Sequence, residues 1–139
     1  IKRFQDIVVC GERYKYLTTG KVGFEELTKH CIVSLNKSSK TYEYYRNIFR
    51  DYGLEFSPDI EVSTSNQILP IVQNNLGIGF VPEEFLAEYP NENGVKRLLL
   101  MEEIPHRMVC FVKRKNHSLS IASREMERMI LAKSIYEND

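Results

Sequence analysis

The alternation of apolar and polar positions is clearest over residues 60–82, where it predicts a strand, a polar turn, a helix, a Gly-x-Gly step and a second strand. Ile60 and Val62 alternate with polar neighbours, the mark of a strand with one buried face. Ser63, Thr64, Ser65 and Asn66 follow, all residue types that bond the free amides of a helix start. Ile68, Leu69, Ile71, Val72 and Leu76 then keep helical spacing, and Gly77 stands where a left-handed C-cap is expected. Ile78, Phe80 and Val81 open the second strand, and Pro82 removes a ladder donor near its end. The unit reads as a right-handed βαβ crossover. With a helix starting near Asn66, Pro70 falls just beyond the first turn, where proline costs a hydrogen bond.

The same grammar occurs earlier in the chain. Asp6-Ile-Val-Val-Cys10 reads as a buried strand ended by Gly11, and residues 14–22 as a loop. A short helix from Phe24 to His30 leads into a strand over Cys31-Ile-Val-Ser-Leu35. The turn Asn36-Lys-Ser-Ser-Lys-Thr41 then opens a helix to Tyr52. Tyr42, Tyr45, Phe49 and Tyr52 form one aromatic stripe on it, read as core with hydroxyls reaching solvent, and Gly53 takes the C-cap. Further on come a helical turn over residues 83–89, turn chemistry at Asn91-Glu-Asn-Gly94, and strands over residues 95–101 and 108–113. A terminal helix, capped by Ser118 or Ser120, runs to about Tyr136. Two copies of strand, polar turn, helix and glycine predict an α/β fold, with a mostly parallel sheet flanked by helices.

In such folds, ligands collect beyond the carboxyl ends of the strands, where helix N-termini present unpaired amides. Ser38, Ser39, Lys40 and Thr41 are the first candidates for ligand contact. Hydroxyls and amides at a helix start, with an ammonium nearby, suit a carboxylate or similar anion. An ordinary helix cap is the competing reading, and Ser63, Thr64 and Ser65 carry the same two. Gly79, Phe80 and Val81 are candidates for the floor of a ligand cleft, since glycine permits close approach to the backbone. Core packing accounts for Phe80 and Val81 equally well.

Composition narrows the function classes. The 139 residues suit one domain with a real core, and 42% hydrophobic with 27% charged residues is ordinary for a soluble protein. Nineteen basic side chains balance nineteen acidic ones, so the chain is a poor candidate for holding nucleic acid by itself. No apolar run is long enough to span a bilayer and no signal peptide is visible, which points to the cytoplasm and away from membranes. Cys10, Cys31 and Cys110, an odd set in apolar strand-like runs, suit a reducing compartment. The first residue is Ile, which suggests a piece of a longer protein.

Catalytic readings find little support. Ser34 and Lys37 match Ser-x-x-Lys without the companion elements of that nucleophile family. His30 and Cys31 are adjacent and would face opposite ways on a strand. His106 and His117 lack ligand spacing with any cysteine. No catalytic residue, metal site or cofactor is expected, and the Asn36 and Asn116 sequons carry no meaning outside secretion.

Several stretches together resemble the regulatory half of LysR-type transcriptional regulators. They are Asp6-Ile-Val-Val, Glu26-Leu27 before Cys31-Ile-Val-Ser, Ser38-Ser39 before residues 42–49, and Val62-Ser63. The run continues with Ile71-Val-Gln-Asn-Asn-Leu-Gly-Ile-Gly-Phe-Val-Pro82, Arg107-Met-Val-Cys-Phe-Val-Lys113 and Leu119-Ser-Ile-Ala122. The resemblance implies a lobe of the periplasmic-binding-protein-like (type II) fold, with a small effector held between two lobes. It also implies a DNA-binding winged helix-turn-helix, which has no counterpart in this chain. Residues 1–117 would be the second effector-binding lobe, one wall of the cleft, and residues 118–139 a helix that packs on the first. With that lobe missing, Met126, Met129 and Ile130 are expected to mediate self-association. The implied function is effector sensing that biases the conformation of a DNA-bound oligomer. The alternatives are a solute-binding lobe of a transport system, or a small α/β enzyme with an anion site at residues 38–41.

Overall fold

The computed structural model describes residues 2–89 and 94–136. In chain order the strands are β1 (Lys2–Phe4), β2 (Asp6–Cys10), β3 (Lys21–Val22), β4 (Ile32–Leu35), β5 (Ile60–Val62), β6 (Ile78–Pro82), β7 (Lys96–Leu100) and β8 (Arg107–Val109). The α-helices are α1 (Phe24–Leu27), α2 (Lys40–Asp51), α3 (Ile68–Gln73), α4 (Glu83–Glu88) and α5 (Ile121–Tyr136). Two 3-10 turns, Glu12–Thr19 and Ser65–Gln67, complete the set. None of the described helices is long and apolar enough to cross a membrane.

The chain divides into a larger unit, Gln5–Pro105, and a smaller one, Ile1–Phe4 with His106–Asp139. These borders differ from the one expected between residues 117 and 118. The reason lies in strand pairing: β1 and β8 pair with each other and form a sheet of their own.

The larger unit is a six-stranded sheet in the order β3-β7-β2-β6-β4-β5. β4 pairs parallel with β5 and β6, and β3 parallel with β7, while β2 pairs antiparallel with both β6 and β7. Five strands therefore share one direction and β2 alone opposes them, the mostly parallel α/β sheet expected. Ile7, Val9, Val33 and Val81 face α3 and α4, packing with Ile68, Leu69 and Val72. Val8, Cys10, Ile32, Ile78 and Phe80 face the other way, toward α1 and α2. Side chains alternate across a strand, so each apolar run feeds both layers.

The second layer is aromatic. Phe24 stacks on Phe49 at 4.7 Å between ring centroids, and Tyr45 lies on Phe80 at 4.6 Å. Tyr42, Tyr45 and Phe49 are buried as the stripe on α2 predicts, while Tyr52 is exposed and meets Phe24 edge-on. Their hydroxyls turn inward, contrary to expectation: Tyr45 donates to Asp6 Oδ2 at 2.6 Å and Tyr42 to the Phe56 carbonyl at 3.4 Å. A hydroxyl under a helix must find a protein partner, because water cannot reach it.

Two glycines owe their place to close packing. A Cβ on Gly79 would lie 2.5 Å from Ile68 Cγ2, and one on Gly77 would lie 2.7 Å from the Cys31 carbonyl oxygen. The left-handed residue after α3 is Asn75, at φ 62°, where the sequence pointed to Gly77. Asparagine tolerates that conformation, and its Oδ1 accepts from the Arg13 amide at 2.8 Å. Leu76, expected on the helix's apolar face, follows its end and is exposed. Pro70 is the third residue of α3, within the first turn, where amides lack an intrahelical partner anyway. Gly53 has φ 72° and closes α2 as expected.

In the smaller unit, β1 and β8 pair from Lys2 with Val109 to Phe4 with Arg107, and the Arg107 guanidinium sits 5.1 Å over the Phe4 ring. Ser120 caps α5 by accepting from the Ser123 amide at 3.1 Å. Met126 and Met129 are exposed and Ile130 is half-buried. The expected strand over residues 108–113 stops at Val109, which leaves Cys110 exposed outside any strand. Of the turn expected at residues 91–94, only Gly94 lies within the described residues.

Candidate functional site

Because five strands run together, their carboxyl ends share one rim of the larger unit, and β2 starts from it. The two polar corners meet there. The Asn36 amide, just past β4, donates to the Val62 carbonyl at the end of β5 at 3.2 Å. Ser39 and Ser65 thus lie on neighbouring turns of the same rim.

The first corner is built by Asn36, which sequence reasoning passed over. Its Oδ1 accepts from the Ser38 amide at 3.2 Å and the Ser38 hydroxyl at 2.6 Å, and its carbonyl accepts from the Ser39 amide at 3.0 Å. This is an Asx-turn, legible in the Asn-x-Ser spacing. Ser39 Oγ then accepts from the Tyr42 amide at 3.0 Å and so caps α2. Lys40 points along the helix, its Nζ 2.7 Å from Glu43 Oε2, and that hydrogen bond holds the Glu43 carboxyl below its ordinary value. The cation without an ion pair among the described residues at this corner is Lys37. Thr41 is half-buried at the start of α2.

The second corner is organised by Gln67. Its Oε1 accepts from the Ser63 amide at 3.0 Å and the Thr64 amide at 3.1 Å. The Thr64 hydroxyl donates to Asn66 Oδ1 at 2.5 Å. Thr64-x-x-Gln67 is a capping box, readable in the sequence once the 3-10 turn is allowed for. Ser63 is exposed and Ser65 half-exposed, with side-chain hydroxyls that bond nothing among the described residues. The corners together thus keep a free ammonium, two free hydroxyls and the donor hydrogen of Ser39.

Gly79, Phe80 and Val81 do not belong to this surface. Phe80 and Val81 are buried on opposite faces of the sheet, and the space over Gly79 is filled by Ile68 and Val72 of α3. The glycine that was to admit a ligand admits a helix.

Among the described residues, the serine, histidine and cysteine side chains that could serve as nucleophiles are placed as follows. Ser34 Oγ is buried in β4 without a hydrogen-bond partner among the described residues, while Lys37 lies in the exposed turn. His30 Nε2 lies 3.1 Å from Glu26 Oε1. All three cysteines are free, and burial pushes the Cys10 thiol up to about 11 and raises Cys31 as well. A thiol held protonated in this way is a poor nucleophile.

A mixed sheet with helices on both faces and two polar turns at one rim is the architecture of a layered α/β domain. The family model described as LysR substrate binding domain matches residues 3–134, and the chain belongs to that family. No curated protein matches it. Among solved structures it resembles the effector binding domain of QuiR in complex with shikimate, with a TM-score of 0.76 and 19% identity. That match covers 91% of this chain and 59% of the other. It also resembles the regulatory domain of Synechocystis PCC6803 CcmR in complex with 2-PG (TM-score 0.75, 13% identity), covering 94% of this chain and 62% of that one. The BenM effector binding domain with benzoate is a third, at 0.60 and 21%, covering 73% and 46%. The chain thus spans about three fifths of the first two structures.

Proposed function

We propose that this chain is the sensing part of a LysR-type transcriptional regulator, and that its effector is a small carboxylate or similar anion held at the paired corners. Lys37 supplies the charge, and Ser39, Ser63 and Ser65 supply hydroxyl donors. The observation that carries the reading is the Asn36–Val62 hydrogen bond, which makes one site of two turns. Shikimate and benzoate, bound by the QuiR and BenM domains, are carboxylates, which supports the charge assigned here. Effector binding favours one domain conformation and biases a DNA-bound oligomer, with DNA contacted by a helix-turn-helix outside this chain. The reading places the protein in the cytoplasm and gives it no catalytic step.

Calorimetric titration of the chain with benzoate and shikimate tests this, with Lys37→Gln as the diagnostic variant. Saturable binding of either acid that weakens about tenfold in the variant supports the site, as loss of a charge-assisted contact would. Binding of neither acid, or binding that ignores Lys37, rejects the corner assignment.

A further inference from the structure

On the other half of the same rim the sheet opens. β2 and β7 pair only from Val8 with Leu98 to Cys10 with Lys96, and beyond Leu98 strand β7 continues alongside β3 instead. Between the start of β2 and the end of β7 this leaves a pocket of 310 Å³. Ile7, Val8, Leu98, Leu100 and Ile104 lie along it, and the buried Asp6 is also on its lining. Gln5 Nε2 donates to the Ile104 carbonyl at 3.1 Å and ties one side of the wedge to the other. The volume falls within the range of small-molecule sites, and the pocket is lined by different residues from the corners.

We propose that this wedge is a second binding site, selective for a small zwitterion that carries both an ammonium and a carboxylate.

The charged groups at the pocket differ in what they already hold. Five line the pocket: Asp6, Lys21, Arg97, Glu102 and Glu103. Arg97 is engaged by Glu83 at 2.5 Å. Both Glu102 oxygens accept from the Phe24 amide, at 3.1 and 3.0 Å, and cap the start of α1 where Gly23 offers no side chain. Asp6 holds the Tyr45 hydroxyl. Lys21 and Glu103 remain, one of each sign, both exposed and without an ion pair among the described residues. Charges of opposite sign at one pocket match a ligand with the reverse pair: its carboxylate meets Lys21, and its ammonium meets Glu103. A simple anion would gain Lys21 and be repelled by Glu103, and a simple cation the reverse. The pocket therefore discriminates against either half of its ligand.

The test is an amide-resolved NMR titration of the full chain with L-alanine, with propionate and ethylamine as its two halves. L-Alanine is expected to shift the amides of residues 5–8 and 98–104 saturably, and the half-molecules to bind about tenfold more weakly or worse. Lys21→Gln and Glu103→Gln should each weaken L-alanine by about the same factor, with the spectrum otherwise folded, while Arg50→Gln on α2 leaves it unchanged. Propionate binding as well as L-alanine, shifts confined to residues 36–41 and 62–67, or no saturable shift would each overturn the proposal. None of these outcomes depends on Lys37, so failure here leaves the corner site to be judged by its own titration.

Discussion

The hydroxyl of Tyr45 on α2 reaches across the core to the carboxylate of Asp6 at the start of β2, 2.6 Å away, and both residues are buried. This bond fastens helix to sheet at the rim that carries both proposed sites. Tyr45→Phe leaves the carboxylate short of a donor at almost no change in volume. It should destabilise the fold by about 1–3 kcal/mol, seen as a lower urea midpoint with an unchanged slope. A midpoint equal to wild type would mean that the bond contributes nothing net.

Gly79 is predicted to be intolerant of even one methyl group. Gly79→Ala places its Cβ against Ile68 Cγ2 and should cost about 1–3 kcal/mol by overpacking. Ile68→Ala removes the obstructing atom, so the double variant should be less destabilised than the sum of the two singles. Strict additivity in the same urea experiment would refute the contact.

The Ser39 cap separates stability from binding. Ser39→Ala should cost about 1 kcal/mol, since the Tyr42 amide loses its acceptor, and Ser39→Asp should recover most of it. An aspartate in that place would repel an anion, so Ser39→Asp is expected to fold well and bind benzoate poorly. Equal benzoate affinity in Ser39→Asp and wild type would count against an anion at this corner.

Stability should fall at both ends of the pH scale, for different reasons. Glu12, Glu26, Glu43 and Glu125 lie below their ordinary value of 4.5, chiefly through hydrogen bonds from Lys15, Lys29, Lys40 and Arg128. A depressed folded value means stability that is present above 4.5 and lost as pH falls through it. These groups are on the surface, so salt should shrink the effect. Cys10 runs the other way: its thiol moves from 9.0 to about 11 by burial, so its contribution is full below 9.0 and lost as pH rises toward 11. Urea midpoints across pH would show both limbs, and Cys10→Ser should flatten the alkaline one.

Self-association through the terminal helix remains a proposal with a direct test. Met126 and Met129 are exposed on α5. Sedimentation should show a concentration-dependent oligomer that Met126→Lys with Met129→Lys abolishes. A monomer at all concentrations, or an oligomer indifferent to those changes, would reject it.

What the sequence disclosed followed from how local each determinant is. Apolar runs such as Ile7–Cys10 and Ile32–Leu35 mark buried strands, because few other structures bury every consecutive side chain. The stripe on α2 and the glycine that ends it were equally plain. β3, two residues at a sheet edge, has no pattern long enough to see, and the 3-10 turn over Glu12–Thr19 has the polar composition of a loop. Asn75 in place of Gly77, and the inward hydroxyls of Tyr42 and Tyr45, depend on partners far along the chain. The corners were legible as polar turns. Asn36 and Gln67, which arrange them, leave a trace in the Asn-x-Ser and Thr-x-x-Gln spacings, whereas the unpaired charge of Lys37 emerges only with coordinates. The wedge had no local signal at all, since it is a gap between β2 and β7.

The lone reversed strand also dictates when the molecule can form. β2 is made early, yet its partners β6 and β7 lie near the far end of the larger unit, so the middle of the sheet waits for most of that unit to exist. Closing such long loops before any pairing reward arrives makes for slow folding. A chain emerging from the ribosome therefore carries Ile7-Val-Val-Cys10 as a bare apolar segment until β6 and β7 appear, and that interval is where aggregation competes with assembly.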